Sequence, residues 1–206
     1  MFMRVRVTPL LSLLLGVLCI ALPASADNVS YTFNSPSGPL GVSQQYIVNG
    51  ITLTAYGFDT SSHPVNLYGK NDGGDEIGLG IDRSPNHEIQ TYNFVQLDVT
   101  NLHNLNIQSA LISFGSVQEG EGWNLFGSNT LGNLGTLLLS GDQDMGSTDI
   151  MSEVMSYDYI GIQASADDVL LGGLTINYSQ GVPEPASMLL LGTGLVGVAR
   201  KLRNRR

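Results

Sequence analysis

Between Lys70 and Asp82 the sequence reads KNDGGDEIGLGID, which sets Asp72, Asp75, Glu76 and Asp82 on a glycine-rich background, with Glu88 a few residues on. Calcium takes six to eight oxygen ligands, and carboxylates on a turn-rich segment are the usual protein source. The spacing is not that of an EF-hand, because no D-x-D-x-D run precedes the glycine. Two readings follow: a calcium-binding loop built from Asp72, Asp75, Glu76, Asp82 and Glu88, or a solvated acidic turn. Glu119 and Glu121 stand two apart in QEGEGW, the spacing that puts two carboxylates on one side of a strand, as general acid–base pairs require. Their glycine-rich context reads as a turn. His63, His87 and His103 are too scattered for a zinc motif. Trp123, the single tryptophan, is a candidate platform for a sugar ring if exposed and a core residue if not. No G-x-S-x-G is present, so a serine nucleophile elbow is absent.

The elements that must position these residues are strands. VSYTF (29–33), IVNGITLTAYGF (47–58), VNLYG (65–69), YNFVQLDV (92–99) and IQSALISFG (107–115) alternate or run apolar over strand lengths. WNLFGS, GTLLLS, YDYIGIQA and VLLGGLTINY continue the pattern, separated by Gly, Asn, Asp, Ser and Pro. Short strands with turn signals between them predict an all-β domain, a β-sandwich of jelly-roll character, rather than βαβ units. Residues 35–45, SPSGPLGVSQQ, read as a loop or the start of the domain. NYSQGVPEP reads as a linker leaving its last strand.

Charge and cysteine usage narrow the function classes. The chain has 206 residues and a formal charge of −9. From Asp27 to Gly181 there are seventeen acidic residues and two basic ones, Lys70 and Arg83, a formal −15 for the middle section. A body this acidic repels phosphate backbones, so nucleic acid is excluded as a partner. Cys19 is the only cysteine and lies in the first apolar run, so the rest of the chain has neither a disulfide nor a thiol nucleophile.

The two ends read as addresses. Arg4 and Arg6, an apolar stretch from Leu10 to Leu22 and the small residues Ala24 and Ala26 form a secretory signal peptide over 1–26, which signal peptidase would cut before Asp27. At the other end, Pro183-Glu184-Pro185 precedes the uncharged run ASMLLLGTGLVGVA, and Arg200, Lys201, Arg203, Arg205 and Arg206 follow. Fourteen uncharged residues make a short membrane-spanning helix, since a bilayer core takes about twenty. The basic cluster stays on the cytoplasmic side, which leaves 27–181 outside. GTGLVG within this run matches a dinucleotide fingerprint in letters only, because no βαβ unit surrounds it.

This three-part ending resembles the PEP-CTERM sorting signal of exported proteins in certain Gram-negative bacteria, many of them makers of extracellular polysaccharide. The resemblance implies exosortase as the processing partner, with Pro183, Glu184 and Pro185 as its recognition motif and residues 182–206 as the signal. It implies a protein held transiently in the inner membrane and then released to the cell surface or matrix. The middle is similar to the jelly-roll bodies that often carry such signals, on LYGKNDGGDEIGLGID, HEI and FVQLDV. The sequence thus predicts a non-catalytic surface or matrix protein that binds exopolysaccharide, with a secreted hydrolase of matrix polysaccharide as the alternative.

Overall fold

The run 47–58 contains Asn49-Gly50, and these two residues decide its fate. Both adopt positive φ, 51° and 77°, as a two-residue hairpin turn demands. The run therefore folds as two strands, β3 (Ser43–Val48) and β4 (Ile51–Asp59), paired with Val48 opposite Ile51. The computed structural model describes residues 26–74, 76–142 and 146–179, together with 192, 194 and 200–203. Residues 26–180 form one compact unit by themselves.

Among the described residues the remaining strands are β1 (Ala26–Thr32), β2 (Gly38–Gly41), β5 (Leu67–Gly73), β6 (Glu76–Ile81), β7 (Ile89–Gln90), β8 (Asn93–Asp98), β9 (Asn106–Ser116), β10 (Gly122–Ser128), β11 (Thr136–Asp142), β12 (Ser147–Asp149), β13 (Tyr159–Ala166) and β14 (Asp168–Ser179). A short α-helix, α1 (Met151–Ser156), interrupts them. The strands form two sheets, and every pairing is antiparallel. One sheet runs β12-β9-β14-β6-β5-β2, with β1 and β7 also on β14; the other runs β11-β10-β13-β8-β4-β3. The all-β class expected from the sequence is what the chain adopts.

Alternation builds the core. In β1, Val29 and Tyr31 point inward while Asn28, Ser30 and Thr32 are exposed; in β14, Leu174, Ile176 and Tyr178 do the same beside Thr175 and Asn177. Leu53, Val95, Leu97, Ile160 and Ile162 of the second sheet join them in one cluster, so the inner faces of both sheets share a single core. On β8 both faces are covered, because segment 129–134 lies over the outer one. Gln96 donates to the Asn133 carbonyl (2.9 Å) and accepts from the Gly132 amide (2.7 Å).

Three readings are corrected. Residues 35–45 hold β2, which ends at Gly41 (φ 75°), and the start of β3, with Val42 between them. The last strand runs on to Ser179, so Asn177 to Ser179 belong to β14 rather than to a linker. KNDGGDEIGLGID is no glycine-rich loop: it is the β5–β6 hairpin, turned at Gly73 and Gly74 (φ 89° and 61°), with Leu67 opposite Ile81. The signal-peptide residues 1–25, Ala24 included, lie outside the described residues, as do Pro183, Glu184, Pro185, Arg205 and Arg206. Ala26 and Asp27 open β1. Arg200, Lys201 and Arg203 are helical and exposed. No helix among the described residues is long and apolar enough to cross a membrane.

Candidate functional site: a sealed carboxylate cluster and an outer groove

On β5, Tyr68 and Lys70 are two apart and face the same way, outward from the core. Opposite them on β6 stand Gly80 and Gly78. The missing side chains admit another segment: a Cβ on Gly80 would collide with the His87 carbonyl oxygen. Residues 85–88 therefore lie against this face. His87 stacks on Tyr68, with centroids 3.9 Å apart and planes 11° from parallel, and Glu88 comes down on Lys70.

The Lys70 ammonium donates to Glu88 Oε1 at 2.6 Å and to Glu76 Oε2. Gln118 Nε2 donates to Glu76 Oε1 at 2.9 Å, and the Gln118 amide donates to Glu121. Glu121 meets Asp168 side chain to side chain, and Gln90 Nε2 donates to Asp168 Oδ2 at 3.0 Å. Four carboxyl groups and one ammonium thus tie together the β5–β6 hairpin, the segment before β7, the β9–β10 turn and the start of β14. Burial pushes the Glu88 carboxyl up to about 8, with Glu76 and Asp168 adding to the rise and Lys70 opposing it. The Lys70 hydrogen bond holds Glu76 below the usual carboxylate range. Burial raises Glu121 as well, against its bond from the Gln118 amide. For Lys70, burial acts downward, but its two carboxylate partners outweigh it and the amine is raised.

Neighbouring carboxyl groups with opposite shifts are what general acid–base chemistry uses. Here access is missing. Glu88 is 2% exposed and Lys70 6%, and Glu88 Oε2 is sealed from solvent with no hydrogen-bond partner. Glu88 is thus closed to solvent and held by Lys70, whereas Glu76 is part-exposed.

Of the five calcium candidates, the structure brings together Glu76 and Glu88. Asp72 is exposed at the end of β5, and Asp75 lies outside the described residues. Asp82 turns away, accepting from the Arg83 amide (3.1 Å) and lying 3.9 Å from His87 Nδ1. Among the described residues no three His, Cys, Asp or Glu side chains are placed to hold a metal ion. Sequence reasoning missed Lys70 and Asp168 as members of the cluster. The available signal was a lysine in the middle of a strand, in a body with only one other cation.

Trp123 is a correction. Gly122 opens β10, so Trp123 points inward with Leu125; it is 2% exposed and stacks on Phe114 at 4.6 Å and 19°. It is a core residue and offers no face to a sugar. His63 donates or accepts on Asp59 (3.1 Å), and His103 Nε2 contacts the Val154 carbonyl of α1 (2.8 Å).

A second feature lies on the outside of the other sheet. Tyr56 and Phe58 on β4 and Phe94 on β8 form an aromatic row, with successive centroids 6.4 and 5.5 Å apart. A cavity of about 400 Å³ opens between Tyr56, Phe58, Pro64 and the 130–133 segment. A second cavity of about 400 Å³ adjoins it across Pro64, walled by Asp59, Asn66, Asp82, Arg83 and Tyr92. Arg83 adopts φ 65°, and Asn86 and His87 are also left-handed at 56° and 61°. Such backbone persists only where its surroundings impose it. Asn93 supplies the brace, donating to Ser84 Oγ (2.7 Å) and accepting from the Gln90 amide (2.8 Å), both bonds buried.

Residues 181–206 match the family model of the PEP-CTERM protein-sorting motif, one residue wider than the expected signal. No curated protein and no solved structure matches the chain. The chain therefore carries a PEP-CTERM protein-sorting motif over residues 181–206, its C-terminal sorting signal.

Proposed function

We propose that the protein is an exported, non-catalytic surface or extracellular-matrix protein of a Gram-negative bacterium, whose β-sandwich body of jelly-roll character binds exopolysaccharide. Exosortase, the processing partner that the sorting motif implies, acts on it through Pro183, Glu184 and Pro185. The observation that carries this reading is the motif at 181–206 directly following a self-contained β unit at 26–180. The signal peptide takes the body across the inner membrane, the short C-terminal helix holds it there, and the Arg-rich end stays inside until cleavage. The hydrolase alternative would need carboxyl groups open to substrate. The sealed oxygen of Glu88 and the ammonium locked between Glu76 and Glu88 favour a structural role for the cluster instead.

The test is expression in a PEP-CTERM-bearing host with and without its exosortase. The processed protein is expected to be smaller and to leave the membrane fraction only where exosortase is present. Pro183→Ala with Pro185→Ala should trap the full-length form. Unchanged size and location in both experiments would refute the reading.

A further inference from the structure

Resting on the glycan-binding reading above, we propose that two cavities sharing Pro64, one on the outer face of the β4–β8 sheet and one at its rim beside the 82–84 loop, are one groove for an uncharged glycan strand. Tyr56 and Tyr92 present ring faces to it, and Asn66 and Arg83 present hydrogen bonds to its hydroxyls.

The shape comes first. The cavities share Pro64 as a common wall, and each is within the size range of small-molecule sites. Its chemistry changes along its length. The Tyr56 end is apolar, with Phe58 and Pro64 beside it; the Tyr92 end carries amide, guanidinium and carboxylate groups. A sugar has the same duality, with C–H faces that lie on aromatic rings and hydroxyls that pair with planar polar side chains. Tyr92 is 53% exposed and lines the polar cavity, so its ring is accessible to a ligand there.

The polar groups are free and held in place. Arg83 is exposed and makes no ion pair among the described residues, and no hydrogen bond of the Asn66 amide satisfies it internally. The left-handed backbone at Arg83 is fixed by the buried Asn93–Ser84 bond, so the guanidinium is presented from a rigid loop and little ordering is lost on binding.

Charge decides the class of glycan. Lys70 is consumed by the carboxylate cluster, which leaves Arg83 as the one cation of a body carrying seventeen acidic residues. Asp59 and Asp82 line the same pocket as Arg83, so the pocket is not basic. Uronate or sulfated chains are repelled by this field, whereas a neutral chain is not.

The experiment is isothermal titration calorimetry of the full chain in detergent with a cello-oligosaccharide, an oligogalacturonate of equal length and an uncharged proline-rich peptide. The wild type is expected to bind the neutral sugar in preference to the other two. Tyr92→Ala should weaken that binding about tenfold, and Tyr92→Phe should keep it. Arg83→Asn, which suits a left-handed position, should weaken it by a similar factor. Both positions are exposed, and an unchanged melting temperature certifies the fold of each variant. Wild-type binding that survives both Tyr92→Ala and Arg83→Asn would overturn the groove and leave the glycan-binding reading standing. No sugar binding by the wild type would overturn both. Preference for the oligouronate would overturn the charge argument, and preference for the peptide would overturn the glycan in favour of a protein occupant.

Discussion

Glu88→Gln should change how the stability of this protein depends on pH, in a direction opposite to that of carboxylates whose pKa is lowered by an ion pair. The Glu88 carboxyl is raised from the ordinary 4.5 to about 8 in the folded chain. A raised folded value means that the native state holds the proton more tightly than the unfolded chain. The contribution is fully present below pH 4.5 and is lost as pH rises towards 8. Each pH unit across that window is worth about 1.4 kcal/mol per proton, so the gap of about 3.5 pH corresponds to about 5 kcal/mol. Glu121, raised by burial, acts with the same sign. Glu76 is lowered by Lys70, so its contribution is present above 4.5 and disappears as pH falls through its folded value, outside the Glu88 window. Glutamine has the shape of the protonated acid and keeps a carbonyl for the Lys70 ammonium. Near pH 5 the variant should match the wild type; by pH 8 it should be the more stable of the two by a few kcal/mol. Urea unfolding at pH 5, 6, 7 and 8 measures this, followed by the fluorescence of Trp123, the chain's single tryptophan and a buried one. A wild-type stability that rises from pH 5 to 8, or variant and wild-type curves that stay parallel, would refute the reasoning.

Further consequences can be checked with the same unfolding assay. Lys70→Met removes the ammonium shared by Glu76 and Glu88 and should cost about 1–3 kcal/mol at neutral pH, because both carboxyl groups lose a hydrogen-bond donor; an unchanged stability would show that the cluster does not depend on the ammonium. Gly80→Ala puts a methyl into the His87 carbonyl and should cost about 1–3 kcal/mol while raising the amide exchange of residues 85–88. Trp123→Ala, followed by circular dichroism, should cost about 3–5 kcal/mol; at a pH and temperature where the variant stays folded, sugar binding should be unchanged. Loss of binding in a folded Trp123→Ala chain would restore the tryptophan as a sugar contact.

What could be read from the sequence was what depends on local pattern. Val29 and Tyr31, or Leu174, Ile176 and Tyr178, announce their inward face by period two alone, and the two chain ends announce themselves by the order of charge, apolar run and small residues or prolines. The misreadings arose where one local signal overrode another. Asn49-Gly50 is a hairpin turn inside what looks like one long apolar strand, and the glycines of 73–80 look like a flexible loop although Gly73 and Gly74 turn a hairpin, Gly80 makes room for residues 87–88 and Gly78 for Leu171 of β14. The carboxylate cluster was out of reach for a different reason. Its members, Lys70, Glu76, Glu88, Glu121 and Asp168, span almost a hundred residues and meet only because β14 pairs with β6, β7 and β9.

The same topology explains why the acids that looked most like a site belong to the scaffold, while the groove drew no attention in the sequence. The strongest local density of charge sits on a hairpin that a neighbouring segment covers, so Glu88 loses its water and shares Lys70 with the part-exposed Glu76. Tyr56, Asn66, Arg83 and Tyr92 are individually unremarkable, one aromatic or polar residue at a time along separate strands and turns. They become a surface only when β4 pairs with β8 and the loop bearing Arg83 is pinned through Ser84 to Asn93 at the start of β8. Both features meet in the segment from Asp82 to Glu88. One end carries the guanidinium of the groove and the other the sealed carboxyl of the cluster. Ionising Glu88 should therefore loosen the loop that presents Arg83, and glycan affinity should fall over the pH window in which stability falls. An affinity that stays constant from pH 5 to 8 while stability drops would separate the two ends of this segment and show that the Asn93 brace alone holds Arg83 in place.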